Sequence, residues 1–91
     1  MKPLPDDVAP YNRTPVFTEV TLPDGLRREH ATKAGVWGLI HVESGRLRYE
    51  IAGGDGAVEL SPDDPPVVIE PEVRHSVTPV GEVRFFVEFH R

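Results

Sequence analysis

Apolar residues along this chain recur at alternate positions, in short stretches separated by turn residues. The clearest case is EVRFFVEFHR (82–91). It sets Val83, Phe85, Val87 and Phe89 on one face and Arg84, Phe86, Glu88 and His90 on the other. RLRYEI (46–51) alternates in the same way, with Leu47, Tyr49 and Ile51 together. Further strands are predicted at 15–22, 26–30, 36–44, 57–60, 66–70 and 75–80. Between them lie LPDG, AGGDG, SPDDPP, EPEVR and TPVG, the punctuation of a small all-β protein. ESGRL (43–47) reads as a tight hairpin and AGGDGAV (52–58) as a looser one. No dozen-residue window keeps apolar residues at i, i+3 and i+4 free of Pro or Gly, so helix is not expected. About eight or nine short strands at turn spacings of roughly 8–12 residues predict a closed barrel or a sandwich.

Composition narrows the function classes. The 91 residues make one domain with one modest core. There is no cysteine, so disulfides and thiolate metal sites are excluded, and His, Asp and Glu remain as strong ligands. The formal charge of -5 carries no basic stripe, which argues against nucleic acid. No run approaches the ~20 apolar residues of a membrane span, and the opening MKPLPDDVAPY has no apolar core of a signal peptide. A cytoplasmic protein is expected. Residues 1–14, rich in Pro and polar side chains, are read as an extended arm and 15–91 as the folded domain.

Four histidines carry the candidate chemistry. His30 ends a predicted strand, and His75 follows the EPEVR turn. Two neutral imidazoles from facing strands can share one Zn, Ni, Fe or Cu ion. Two fall short of the three or four protein ligands zinc prefers, so Glu70, His41 and Glu88 are candidate additional ligands. The plainer reading is two polar side chains in a barrel mouth, bonded to each other or to Thr32. Glu70, held extended by Pro71, is either a rim carboxylate or a solvated turn acid. Trp37 is either an aromatic pocket wall or a plug filling the interior. His41 shares strand parity with Trp37, so the two point to the same side unless a bulge intervenes. It either completes a histidine triad or is a satisfied core residue. No serine elbow, P-loop or Gly-rich dinucleotide motif appears.

The spacing of His30, Gly45, Pro71 and His75 resembles the cupin barrel. There a first motif supplies two histidines, a glutamate and a hairpin glycine, and a second supplies a proline turn before a third histidine. In that resemblance Thr32 and Trp37 stand where two metal ligands would be, so His30 and His75 alone are kept. EHATKAGVW, GRLRY and the EP turn before His75 more closely resemble the small cupin-like domain of TehB tellurite-resistance proteins and YeaR-like proteins, from about Pro15 to Phe89. Arg74 replaces an aromatic usual in that family, and Leu39 a basic residue whose place Arg74 would take.

The resemblance implies a single small cupin-like β-barrel of the double-stranded β-helix, or jelly-roll, type. It implies a homodimer that binds a divalent metal or a small anion in the barrel in response to tellurite or similar oxyanions. The alternatives are a metal-dependent oxygenase or isomerase, and a metal-free sensor of a small molecule. No S-adenosylmethionine chemistry is expected of residues that hold no βαβ unit.

Overall fold

A computed structural model describes residues 3–54 and 56–91. Six strands and one short helix follow in order: β1 (Pro10–Arg13), β2 (Phe17–Thr18), α1 (Asp24–Arg27), β3 (Trp37–Ile51), β4 (Ala57–Leu60), β5 (Val67–Ile69) and β6 (His75–His90). All named pairings are antiparallel, and the fold is all-β. The sheet runs β1-β6-β3-β4, with β2 also on β6 and β5 also on β3. Its strand path ends at β1 and β4 without closing, so among the described residues the expected closed barrel is not formed.

The scaffold is the long ribbon of β3 and β6, paired from Trp37↔His90 to Ile51↔His75. The apolar alternation of β6 keeps one parity, with Val77, Val83, Phe85 and Val87 all buried. That of β3 changes parity. Gly38 and Ile40 are buried in its first half, Leu47 and Tyr49 in its second. A strand of constant register would turn one of these sets to solvent. The conflict is resolved where Val42 faces Phe85 and Ser44 faces Arg84, so that Glu43 is an extra residue on β3. This β-bulge flips the side-chain order, and both halves then bury their apolar residues on the same side.

The ESGRL segment is therefore the bulged middle of one fifteen-residue strand, and no hairpin forms there. The glycine signal is real, but its cause is different. Gly45 lies opposite Val83 with φ +77, and a Cβ there would overlap the Glu82 carbonyl and sit 2.8 Å from Val83 Cα. The predicted strand at 26–30 is likewise replaced, by α1 and a single bridge at His30. The predicted strands 75–80 and 82–91 merge into β6. The AGGDGAV turn includes Asp55, which lies outside the described residues.

The core gathers Leu22, Ile40, Leu47, Tyr49, Phe85 and their apolar neighbours, with Phe17 edge-on to Phe85 at 5.8 Å between ring centroids. Glu19 ties the connection after β2 to the ribbon by accepting the Val83 N–H at 3.0 Å, a bond that holds its carboxyl below the usual range. The end of the N-terminal arm is a strand on β6, extended by reciprocal bonds between Ala9 and Arg91. Arg46 and Glu59 pair across β3 and β4 at 2.7 Å; both are exposed, so solvent screens the pair and it adds little to stability. Among the described residues no helix is long and apolar enough to cross a membrane.

The close approach of the Glu82 backbone makes Gly45 hard to replace. Gly45→Ala should lower the unfolding free energy by more than the ~1–2 kcal/mol of a left-handed alanine, because the Glu82 carbonyl must also move. Gly53→Ala, also at positive φ but facing open space, should cost only that backbone amount. Urea unfolding of the two variants checks the ranking, and equal losses would contradict the steric account.

Candidate functional site

His30 and His75 are brought face to face. Their backbones form an isolated antiparallel bridge, with His30 N–H on His75 O at 2.9 Å and His75 N–H on His30 O at 2.8 Å. Their rings meet edge to face, 4.2 Å between centroids. The EPEVR segment prepares this. The Val73 N–H reaches the Glu70 carbonyl at 3.4 Å, closing a turn with Pro71 second and Glu72 third. Glu72 has φ 64, the left-handed value that the third position of a type II turn requires. Its N–H also bonds Thr32 O at 3.0 Å, tying the turn to the segment that carries His30.

Each ring is held in the same way. His30 Nδ1 lies 3.0 Å from Arg28 O, and His75 Nδ1 lies 2.9 Å from Val73 O, in both cases two residues upstream. A carbonyl only accepts, so each Nδ1 carries the proton and donates it. In the neutral ring the other nitrogen, Nε2, is then a lone-pair acceptor. His75 is 2 % exposed. Burial, with the neighbouring His30, pushes its pKa below 6.5 against the opposing effect of the Val73 bond. Tyr49 lies 5.6 Å from the His75 ring, and burial, with the charge of Glu70, raises its phenol above the usual range.

The two rings border a cavity of about 350 Å³. Its inner wall is apolar, formed by Ile40, Ile69, Val77, Phe85, Val87 and Phe89. Its rim comes from the arm, through Tyr11, Asn12 and Thr14, and from the segment Ala31–Lys33. Thr32 Oγ1 is enclosed there without a hydrogen-bond partner among the described residues. The sequence pointed to Thr32 and Lys33 as the lip of a loop near the histidines, but not to the apolar wall. The alternating faces of β3 and β6 held the signal for the wall, hidden by the parity change in β3.

The other candidates lie elsewhere. Trp37, Leu39 and His41 do share a face, as parity requires, but the buried Gly38 and Ile40 hold the opposite, core-side one. His41 stacks on Phe86 at 4.7 Å, which places the pair on the side of the sheet away from the cavity. Glu88 is there too, accepting from His90 Nε2 at 2.8 Å and lying 4.0 Å from His41 Nε2. Arg74 is exposed and paired with Glu29 at 3.3 Å. Trp37, Arg74 and Glu70 are not among the residues lining the cavity.

A family model described as a TehB-like domain matches residues 12–87. The chain belongs to the TehB-like family. Its curated relatives include the probable S-adenosyl-L-methionine-dependent methyltransferase TehB of Haemophilus influenzae Rd, 33 % identical over 76 residues. The counterpart in strain 10810 is 32 % identical. The match takes in 79 % of this chain but 27 % of each relative, so the chain spans about a quarter of their length. The crystal structure of H. influenzae TehB superposes with a TM-score of 0.85 at 26 % identity, over 93 % of this chain and 32 % of that one. A crystal structure of an E. coli K12 protein gives 0.88 at 21 % identity, over 100 % and 97 %, and shows a shared fold alone.

These findings correct the expected cofactor and activity. The relatives are named as methyltransferases, and no metal- or oxyanion-binding role is named for them. Among the described residues no group of three or more His, Cys, Asp or Glu is placed to hold a metal ion. His41 and Glu88 are on the far side of the sheet, so the imidazole pair gains no third ligand from either. The transition-metal site (Zn, Ni or Fe), the metal-dependent enzyme and the tellurite-binding role are thereby overturned. The matched region is about a quarter of those relatives, so the name they carry does not by itself assign methyl transfer to the residues of this chain.

The His75 environment sets a pH dependence. Its folded pKa lies below the unfolded value near 6.5, so at intermediate pH the unfolded chain binds more protons. Stability should be fully present above pH 6.5, fall as pH drops toward the folded pKa, and level off below it. Urea midpoints between about pH 7.5 and pH 5 should show this slope, and His75→Asn should flatten it. A His75 ring titrating above 6.5 by NMR would contradict the assignment.

Proposed function

We propose that this chain is a small-molecule-binding domain serving an S-adenosylmethionine-dependent methyltransferase on the side of the methyl acceptor. The observation that carries this reading is the mostly apolar cavity beside two acceptor imidazoles, in a chain whose family relatives are named as such methyltransferases. The methyl donor itself does not suit the cavity. It carries a sulfonium cation and a ribose diol, and among the described residues no carboxylate lines the walls to meet either one. Lys33, the charged side chain among the described lining residues, is like-signed to the sulfonium. The described residues also contain no parallel βαβ unit, the usual support for a nucleotide. A weakly polar molecule with few hydrogen-bonding groups fits a cavity of this size and lining better.

The test has two arms. Phenol, indole and short thiols at millimolar concentration should shift the NMR methyl signals of Ile40, Ile69, Val77 and Val87, while S-adenosylmethionine should shift none. Ala31→Trp, a bulky change at an exposed rim position, should abolish those shifts without unfolding the chain. In a chimera carrying this chain in place of the matched region of H. influenzae TehB, the same change should raise the acceptor KM about fivefold or more and leave the KM for S-adenosylmethionine within about twofold. Binding of S-adenosylmethionine by the isolated chain, or a rise in its KM instead of the acceptor's, would overturn the reading.

A further inference from the structure

The ring geometry narrows the ligand beyond size and polarity. Both Nδ1–H groups are committed to backbone carbonyls, so the ring nitrogens left for a ligand are the two Nε2 atoms, each a lone-pair acceptor when its ring is neutral. Thr32 lines the same cavity, and its enclosed hydroxyl, with no partner among the described residues, is able to donate or accept. Everything else in the inner wall is hydrocarbon or aromatic. A cavity with acceptors at one end and an apolar inner wall is matched by a molecule with one X–H donor on an apolar body. If X also keeps a lone pair, it accepts from Thr32. A hydroxyl or a thiol meets both conditions. An acceptor-only group set against the rings would confront lone pairs with its own, and an ammonium deep in the cavity would lose its water to a wall that is mostly hydrocarbon.

Resting on the acceptor-side reading above, we infer that the His30–His75 pair reads the X–H group of a small, mostly apolar hydroxyl or thiol compound and discriminates against its methyl ether or thioether. The chemistry of methyl transfer gives this a consequence. Methyl transfer from the sulfonium donor forms X–CH3, breaks S–CH3 to leave a neutral thioether and releases the X–H hydrogen as a proton, so the donor that the imidazoles engage is gone. The site would therefore hold the unmethylated compound and release the methylated one. Leaving the buried lone pairs unpaired is what weakens the methylated form, apart from any added bulk.

The experiment compares matched pairs on the full chain: phenol with anisole, 4-ethylphenol with 4-ethylanisole, and benzyl mercaptan with benzyl methyl sulfide, by NMR titration at pH 7.5. The X–H member of each pair should bind about tenfold more tightly, the free energy of one hydrogen bond with its partner's desolvation. His30→Phe keeps a ring of similar size and removes one acceptor, so the preference should shrink while the methylated compounds bind as before. His75→Phe is a second route to the same result should the first variant fail to fold. Equal binding of both members, in the wild type, overturns this inference and leaves the small-molecule reading standing. Absence of binding by every compound overturns both.

Discussion

The pairing of β3 with β6 is the constraint from which the rest of the molecule follows. Every other strand attaches to one of these two, and most of the core hangs from them. The pairing succeeds because one extra residue at Glu43 reconciles two apolar patterns of opposite parity. Without that bulge, either Gly38 and Ile40 or Leu47 and Tyr49 would face water, at a cost of roughly 1.5–3 kcal/mol for each large side chain. Gly45 stands beside the bulge because the opposing backbone leaves no room for a Cβ. A local defect in the ladder is thus what lets a long strand serve one continuous core.

The same ribbon places the chemistry. His75 opens β6, and its partner on the other side is His30, held by two backbone bonds of a bridge that belongs to no long strand. The type II turn at Pro71–Glu72 aims β6, and the Glu72 bond to Thr32 anchors the opposite segment. The result is two imidazoles in matched orientations, each fixed by the carbonyl two residues before it. Fixing Nδ1 as the donor decides the tautomer, and the tautomer decides what the site can recognise. The apolar wall beneath the rings keeps His75 neutral, which preserves Nε2 as an acceptor near neutral pH.

The position of the cavity also explains why metal chemistry was a reasonable expectation of the sequence and does not follow from the structure. Two histidines separated by 45 positions do meet, as a shared ion would need. The further carboxylate and imidazole that would complete a coordination sphere, Glu88 and His41, occur in the right strands but on the wrong face. They instead form their own cluster with His90 and Phe86. Face is set by parity, and parity in β3 is set by the bulge, which the sequence shows only as a change in the phase of its apolar residues.

Much was legible before folding. Alternation and turn residues gave the all-β class, the face of β6 that becomes core, and the two segments that carry the histidines, because a period of two is a local property of strand geometry. The family likeness in EHATKAGVW and around His75 was legible for the same reason: it resides in the order of residues. The hairpin expected at ESGRL, the closed barrel and the ligand set were not. Each depends on which strand lies opposite which residue, and a single extra residue in a ladder reverses that for everything beyond it. Sequence by itself determined which side chains were available and their local spacing. Tertiary structure alone decided that the imidazoles share one cavity, that Trp37 and His41 turn away from it, and that Thr32 is enclosed beside them, because long-range pairing register, unlike local periodicity, is fixed only when the whole core closes.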